Sequence, residues 1–215
     1  MLVKSVLRRF RRHPWRTRIY VALRRVVLPL DAVEAHVPAS GRVLDACCGH
    51  GLLTILMAMR SKNRDVVGID LDRERIAAAR MAGDGIPRLT FEVGDLFSYE
   101  ATNLDAVTII DALHYFDPPT QRELLRRFRG MLVTNGTFIC RTPVRETGPR
   151  FWWSWLHERV TVGLAITATR DRSVHVLPLD EFLGHVRGAG FTIERVERTR
   201  WWLPYTDRLI VSRAA

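Results

Sequence analysis

The stretch that most constrains this chain is Val43-Leu44-Asp45-Ala46-Cys47-Cys48-Gly49-His50-Gly51. An apolar, β-branched run ends in a carboxylate, turns through a Gly-x-Gly step and enters the apolar segment Leu52 to Met59. That order predicts strand, tight turn and helix. It is the opening unit of a doubly wound α/β domain whose ligand lies at the carboxyl ends of its strands. Asp45 restricts the ligand, because a phosphate at this point is held by bare amides and a positive helix end, and a carboxylate there repels it.

A phosphate-free cation suits the acid. S-adenosylmethionine carries a sulfonium and an ammonium and no phosphate, so Asp45 is expected to help hold its methionine end. Val66-Val67-Gly68-Ile69-Asp70 is a second short strand ending in an acid nineteen residues past Gly51, where a carboxylate can accept both ribose hydroxyls. Leu89 to Leu96 alternates apolar and polar residues and ends in Gly94-Asp95-Leu96, placing a carboxylate near an adenine amine. Leu104 to Asp111 closes in the same way. A single acid at a strand end is commonly just the N-cap of the next helix. Four in register point to one rim that receives a positively charged nucleoside.

With these residues in place, the chain resembles the class I S-adenosylmethionine-dependent methyltransferases. The resemblance rests on Val43 to Gly51, Val66 to Asp72, Gly94-Asp95, Leu104 to Phe116 and Leu132 to Ile139. It implies a Rossmann-like α/β fold: a seven-stranded, mostly parallel sheet with helices on both faces and an antiparallel last strand. The expected cofactor is S-adenosyl-L-methionine, held by Asp45, Cys47, Gly49, Gly51, Asp70, Leu71, Asp95, Leu96 and Asp111. The family has a Gly where Cys47 stands, and a thiol fits there provided the backbone keeps out of positive φ.

At 215 residues and 47% apolar content the chain can bury a full core, and no low-complexity linker divides it. Cys47, Cys48 and Cys140 make neither a disulfide framework nor a metal-ligand spacing, so no metal is expected and a reducing cytoplasm is the natural compartment. The net charge of +10 is concentrated at the start, where Lys4, Arg8, Arg9, Arg11, Arg12, Arg16, Arg18, Arg24 and Arg25 interleave with Leu2, Val3, Val6, Leu7 and Phe10. Residues 1–30 are therefore read as a basic amphipathic helical segment, ahead of a catalytic domain over residues 31–215. It lacks the uninterrupted apolar run of a signal peptide, and nothing in the chain is long enough to span a bilayer. Three roles compete for it: a helix over the cofactor cleft with its arginines in water, attachment to the inner face of an anionic membrane, and docking of an acidic carrier protein. Nucleic acid is disfavoured, since no binding motif accompanies the charge.

Helices are expected over Asp72 to Met81, from Asp117 to about Arg129 and over Asp180 to Ala189. Further strands are expected over Gly136 to Thr142, from Phe191 to about Glu197 and over Arg208 to Arg213. Residues 143–179, with Phe151, Trp152, Trp153 and Trp155, read as an insertion covering an apolar or aromatic acceptor, ahead of membrane-interface anchoring and then of plain core packing. Trp201 and Trp202 fall in a turn between the last two strands.

The chemistry implied is in-line transfer of the sulfonium methyl to a small, lipid-like or carrier-tethered acceptor, with O-methylation favoured. Alignment supplies most of the rate, and a base is needed only if the acceptor must lose a proton. His114, in Asp111-Ala112-Leu113-His114-Tyr115, is the best candidate base on its ordinary pKa, against the alternative that it only packs the loop. Tyr115, Tyr205, His157 and His175 are further candidates for acceptor contacts. Amino methylation of bases or glutamine side chains is disfavoured, because no Asn-Pro-Pro-Tyr-like motif follows the fourth strand and Asp117-Pro118-Pro119-Thr120 falls too late, at a helix start. Two alternatives stand: a non-catalytic scaffold of the same fold at a membrane or carrier protein, and a nicotinamide-dependent oxidoreductase. The second requires G-x-G-x-x-G without an acid at Asp45, whereas this chain has only Gly49-x-Gly51.

Overall fold

A computed structural model describes residues 2–148, 152–153, 156, 174–198 and 205–215. The strands are β1 (Gly41–Ala46), β2 (Arg64–Asp70), β3 (Leu89–Val93), β4 (Leu104–Ile110), β5 (Leu132–Pro143), β6 (Phe191–Arg198) and β7 (Asp207–Ala214). They form a seven-stranded sheet in the order β3-β2-β1-β4-β5-β7-β6. Strands β1, β2 and β3 pair in parallel, while β7 runs antiparallel to both β5 and β6. This is the Rossmann-like topology the sequence predicts. The strand order reverses beside β1, so the carboxyl end of β1 lies at a switch point.

Residues 1–108 and 109–215 form two compact units. In the first, the basic segment folds as α1 (Leu2–Arg9), a 3-10 turn (Phe10–Arg12) and α2 (Trp15–Val27), followed by α3 (Leu30–Glu34). Pro14 is the N-cap of α2, where its missing N–H costs nothing. β1 buries Val43, Leu44, Asp45 and Ala46 in succession, as a central parallel strand does. The helix after it, α4 (Leu52–Arg60), is buried from Leu52 through Ala58, an apolar helix with no solvent face over that span. Gly51 caps it at φ +75°, and a Cβ there would lie 2.6 Å from the Phe91 ring, so glycine is required on two counts. α5 (Arg73–Gly83) starts at Asp72, whose side chain accepts from the amides of Glu74 and Arg75. Buried Arg64 ties α3 to β2, donating to Glu34, Pro38 O, Val37 O and Met57 O at 2.6–3.1 Å.

In the second unit, α6 (Pro118–Met131) opens on Asp117, whose carboxylate accepts from the Thr120 amide. α7 (Leu179–Gly188) buries Phe182, Leu183 and Val186. Phe128, Phe138 and Phe191 stack in the core, at centroid spacings of 5.9 and 4.8 Å. β5 begins at Leu132, earlier than the Gly136 start expected from sequence. Asn135 sits there at φ +61°, so the expected break is absorbed inside the strand. Of the aromatic stretch after Pro143, Trp152, Trp153 and Leu156 are exposed. Phe151, Trp155, His157, Trp201 and Trp202 lie outside the described residues.

Candidate functional site

In the first unit, the turn after β1 and the ends of β2 and β3 gather the acids singled out in the sequence. Asp70 closes β2, accepting from the Gly49 amide at 2.8 Å through one oxygen and from the Asp72 amide at 3.0 Å through the other. Each oxygen keeps a further lone pair for an outside donor. One carboxylate thus shapes the glycine turn and offers a bidentate acceptor beside it. Gly49, at φ +56°, has nothing within 4 Å of where a Cβ would stand, so the turn opens on free space. Leu71, next to Asp70, is exposed, and an exposed leucine beside an acceptor pair suits the face of a nucleoside. After β3, Asp95 accepts from the Phe97 amide at 3.1 Å, and Leu96 is buried. This set of acceptors and this opening fit the nucleoside part of S-adenosylmethionine.

Asp45 lies deeper than the rim on which the four acids are expected. It is 2% exposed and lies under the turn, taking hydrogen bonds from Thr54 Oγ1 at 2.6 Å and Thr108 Oγ1 at 2.7 Å. Burial pushes its pKa up to about 6; the two threonine hydroxyls oppose the rise and the charge of Asp70 adds to it. Asp45 and Asp70 therefore share one electrostatic neighbourhood. Neither threonine was singled out in the sequence. The signal was there, a hydroxyl inside each of two apolar runs, Leu52 to Met59 and Ala106 to Ile110.

Cys47 sits at φ +56°, so the condition set for accommodating a thiol is not met. The left-handed conformation explains the family's glycine, and the cysteine costs about 1 kcal/mol there. Burial pushes the thiols of Cys47 and Cys48 up, which removes them as nucleophiles at neutral pH. His50 meets the ring of Tyr20 from α2 at 4.8 Å, and burial, with Arg75 nearby, pulls its pKa down to about 4. The basic segment also grips α5: Arg9 donates to the carbonyls of Ala82 and Asp84, and His13 Nε2 lies 2.9 Å from Ala78 O. It is docked beside the glycine turn, a placement the sequence left open among three roles.

In the second unit, Asp111 follows β4 at φ +54° and pairs with buried Arg141, which also pairs with Asp207 at the start of β7. The sequence had singled out neither Arg141 nor Asp207. An arginine inside an otherwise apolar strand was the available signal. The loop after Asp111 turns as a 3-10 helix over Leu113 to Tyr115. His114 is 1% exposed, its ring 4.0 Å from that of half-buried Tyr115. The His175 amide donates to His114 O at 2.7 Å, and Gln121 Nε2 donates to Phe116 O and His175 O. His175 thus meets the loop through its backbone. Tyr205 is half-buried just before β7.

Comparison with known proteins gives a consistent picture. A family model described as a methyltransferase domain matches residues 43–136. Among curated relatives, the magnesium-protoporphyrin O-methyltransferase of Rhodobacter capsulatus is 28% identical over 164 residues, covering 73% of this chain and 66% of that protein. The ubiquinone biosynthesis O-methyltransferase of Xanthomonas axonopodis pv. citri is 29% identical over 172 residues, covering 78% and 70%. The chain thus spans about two thirds of the length of these relatives. Among solved structures, the S-adenosylmethionine-dependent methyltransferase of Mesorhizobium loti shares the fold with a TM-score of 0.64 at 22% identity, over 85% of this chain and 96% of that one. The pyocyanin biosynthetic protein PhzM gives a TM-score of 0.72 at 18% identity, over 99% and 62%.

Proposed function

We propose, from the premise that this chain belongs to the class I S-adenosylmethionine-dependent methyltransferases, that it methylates a hydroxyl of a small, lipid-like or carrier-tethered acceptor. The observation that carries this reading is the Asp70 carboxylate, which holds the glycine turn through Gly49 and keeps an acceptor site on each oxygen beside open space. S-adenosylmethionine, when bound, supplies a methyl group on a sulfonium. In this reading Asp70 accepts the ribose hydroxyls, Leu71 and Leu96 contact the adenine, and Asp95 accepts from its amine. Gly49 leaves the backbone open for the cofactor to approach, Gly51 lets the same turn close over Phe91 into α4, and Cys47 stands at that turn. Asp45 supplies negative charge from beneath that turn, facing the cationic methionine end. Asp111, held by Arg141, fixes the start of the loop that carries His114 and Tyr115.

Support for a hydroxyl acceptor comes from two curated relatives, both named O-methyltransferases. His114 is proposed to take the acceptor proton, with Tyr115 in contact with the acceptor. The burial of the His114 ring favours a second reading, in which it packs the loop and the acceptor arrives already ionised. His114→Gln separates the two: loss of kcat with an intact KM supports the base, and unchanged kcat supports packing. The basic segment gives this enzyme an anionic partner, a membrane or an acidic carrier protein, in the same reading. Mass spectrometry of metabolites, lipids and carrier-bound intermediates tests the whole. A mass gain of one methylene with wild-type protein that vanishes with Asp70→Ala is expected. Absence of any Asp70-dependent gain overturns the reading, and a calorimetric titration without heat from S-adenosylmethionine points instead to a scaffold.

A further inference from the structure

The chain's positive charge is not spread evenly. Nine Lys and Arg and no Asp or Glu lie in residues 1–30, so this segment accounts for nearly all of the net +10. On α2, Trp15, Ile19, Leu23 and Val26 are 65%, 51%, 64% and 50% exposed, four large apolar side chains on one helix. At about 100° per residue these four and Ala22 fall within an arc of about 100°. Arg16 borders that arc on one side, Arg18 and Arg25 on the other, and all three are exposed. Val21, on the opposite face, is buried, and Tyr20 rests on His50 of the glycine turn. The stripe is therefore the outer face of a docked helix, not a core face left over.

A groove of about 450 Å³ lies beside the stripe, between α1, the 3-10 turn and α2. Leu7, Phe10, Trp15 and Ile19 line it, and Arg11 and Arg18 also border it. The Arg16 guanidinium lies 5.5 Å from the Trp15 ring centroid, the pairing of an aromatic body with a cation that suits a headgroup boundary. Large apolar side chains along the centre, arginines on both edges and no acid anywhere in the segment match a helix lying in the plane of a lipid interface. An acidic protein would satisfy the arginines but gives no reason for the exposed apolar stripe and the groove beside it.

We propose that α2 docks on an anionic lipid bilayer, with Trp15, Ile19, Leu23 and Val26 entering the acyl boundary and Arg11, Arg16 and Arg18 meeting lipid phosphates. This rests on the anionic-partner part of the functional reading and chooses the membrane; it is independent of the methyl transfer. Because Tyr20 on the inner side of α2 touches His50, docking also sets the glycine turn close to the membrane, where a lipid-like acceptor resides.

Sedimentation of the full chain with vesicles tests it. Binding to vesicles of equal phosphatidylglycerol and phosphatidylcholine is expected at low salt, with release at high salt and no binding to phosphatidylcholine alone. Arg16→Gln with Arg18→Gln should weaken binding roughly 30-fold, from about 1 kcal/mol for each arginine at the surface. Ile19→Ser with Leu23→Ser should weaken it at least as much. Circular dichroism and S-adenosylmethionine calorimetry should match wild type for both variants, which keeps a lost fold or a failed enzyme reading distinct from a failed membrane reading. The proposal is overturned if wild type ignores anionic vesicles, or if neither pair of substitutions changes binding. It is equally overturned if Ile19→Ser with Leu23→Ser abolishes a dimer seen by analytical ultracentrifugation without lipid, because a second copy then covers the stripe.

Discussion

Asp45 is a buried acid whose ionisation should be coupled to cofactor binding. Without ligand its pKa stands at about 6, raised from 3.8 chiefly by burial. A cation held nearby favours the carboxylate, so binding should return the pKa toward the ordinary range and release a proton near pH 6. With full ionisation in the complex, affinity should rise about tenfold between pH 5 and pH 7, equal to about 1.4 kcal/mol. About half a proton should leave at pH 6. The cofactor's own amino group stays charged across this window, its pKa lying near 8. Calorimetry in two buffers of different ionisation enthalpy counts the proton directly. Asp45→Asn should bind more weakly and lose both the proton release and the pH slope. The free protein should respond in the opposite sense. Because the folded pKa is the raised one, the contribution of Asp45 to stability is complete below pH 3.8 and lost as pH rises through 6, an effect of up to about 3 kcal/mol. Asp45→Asn, with Thr54 and Thr108 free to reorient their hydroxyls, should therefore raise Tm at pH 7.5 while lowering affinity. Equal proton release from wild type and Asp45→Asn would refute the argument.

Other residues give sharper structural tests. Asp70→Asn leaves one carbonyl oxygen where two carboxylate oxygens now serve Gly49 and Asp72, and cofactor affinity should fall roughly 100-fold or more by calorimetry. Cys47→Gly should change stability by less than about 1 kcal/mol, relief of the left-handed strain being offset by a freer unfolded chain. Cys47→Val, β-branched in the same conformation, should cost about 2 kcal/mol in urea denaturation. Arg141→Met strips the cation from between Asp111 and Asp207 and should cost about 3–5 kcal/mol, with Asp111→Asn partly restoring stability.

Several elements were legible because their signals are local. Asp72 and Asp117 announce helix starts by accepting from amides two or three residues on, and both helices begin there. Gly51 had to be glycine in any strand-to-helix turn of this shape, though its clash partner, Phe91, comes from β3 and lies far along the chain. The position of Asp70 at a strand end was readable from the sequence, and the structure adds its grip on the Gly49 amide. Asp45 was legible as an acid at the end of the first strand, but not as a buried one. Which way a strand residue faces depends on the layer above it, and only packing brings Thr54 and Thr108 onto that carboxylate.

The order of residues alone determined the strand-turn-helix repeat, the acids at its strand ends and the basic character of the first thirty residues, since each follows from period, turn chemistry and charge within a few positions. Tertiary structure decided what no local pattern encodes. It buried Asp45 and so raised its pKa, placed Cys47 in a glycine conformation, joined Asp111 and Asp207 through Arg141, and turned one face of α2 outward with its apolar side chains exposed. These outcomes depend on contacts between residues distant in the chain, and burial, which sets both charge state and exposed area, exists only once those contacts have formed.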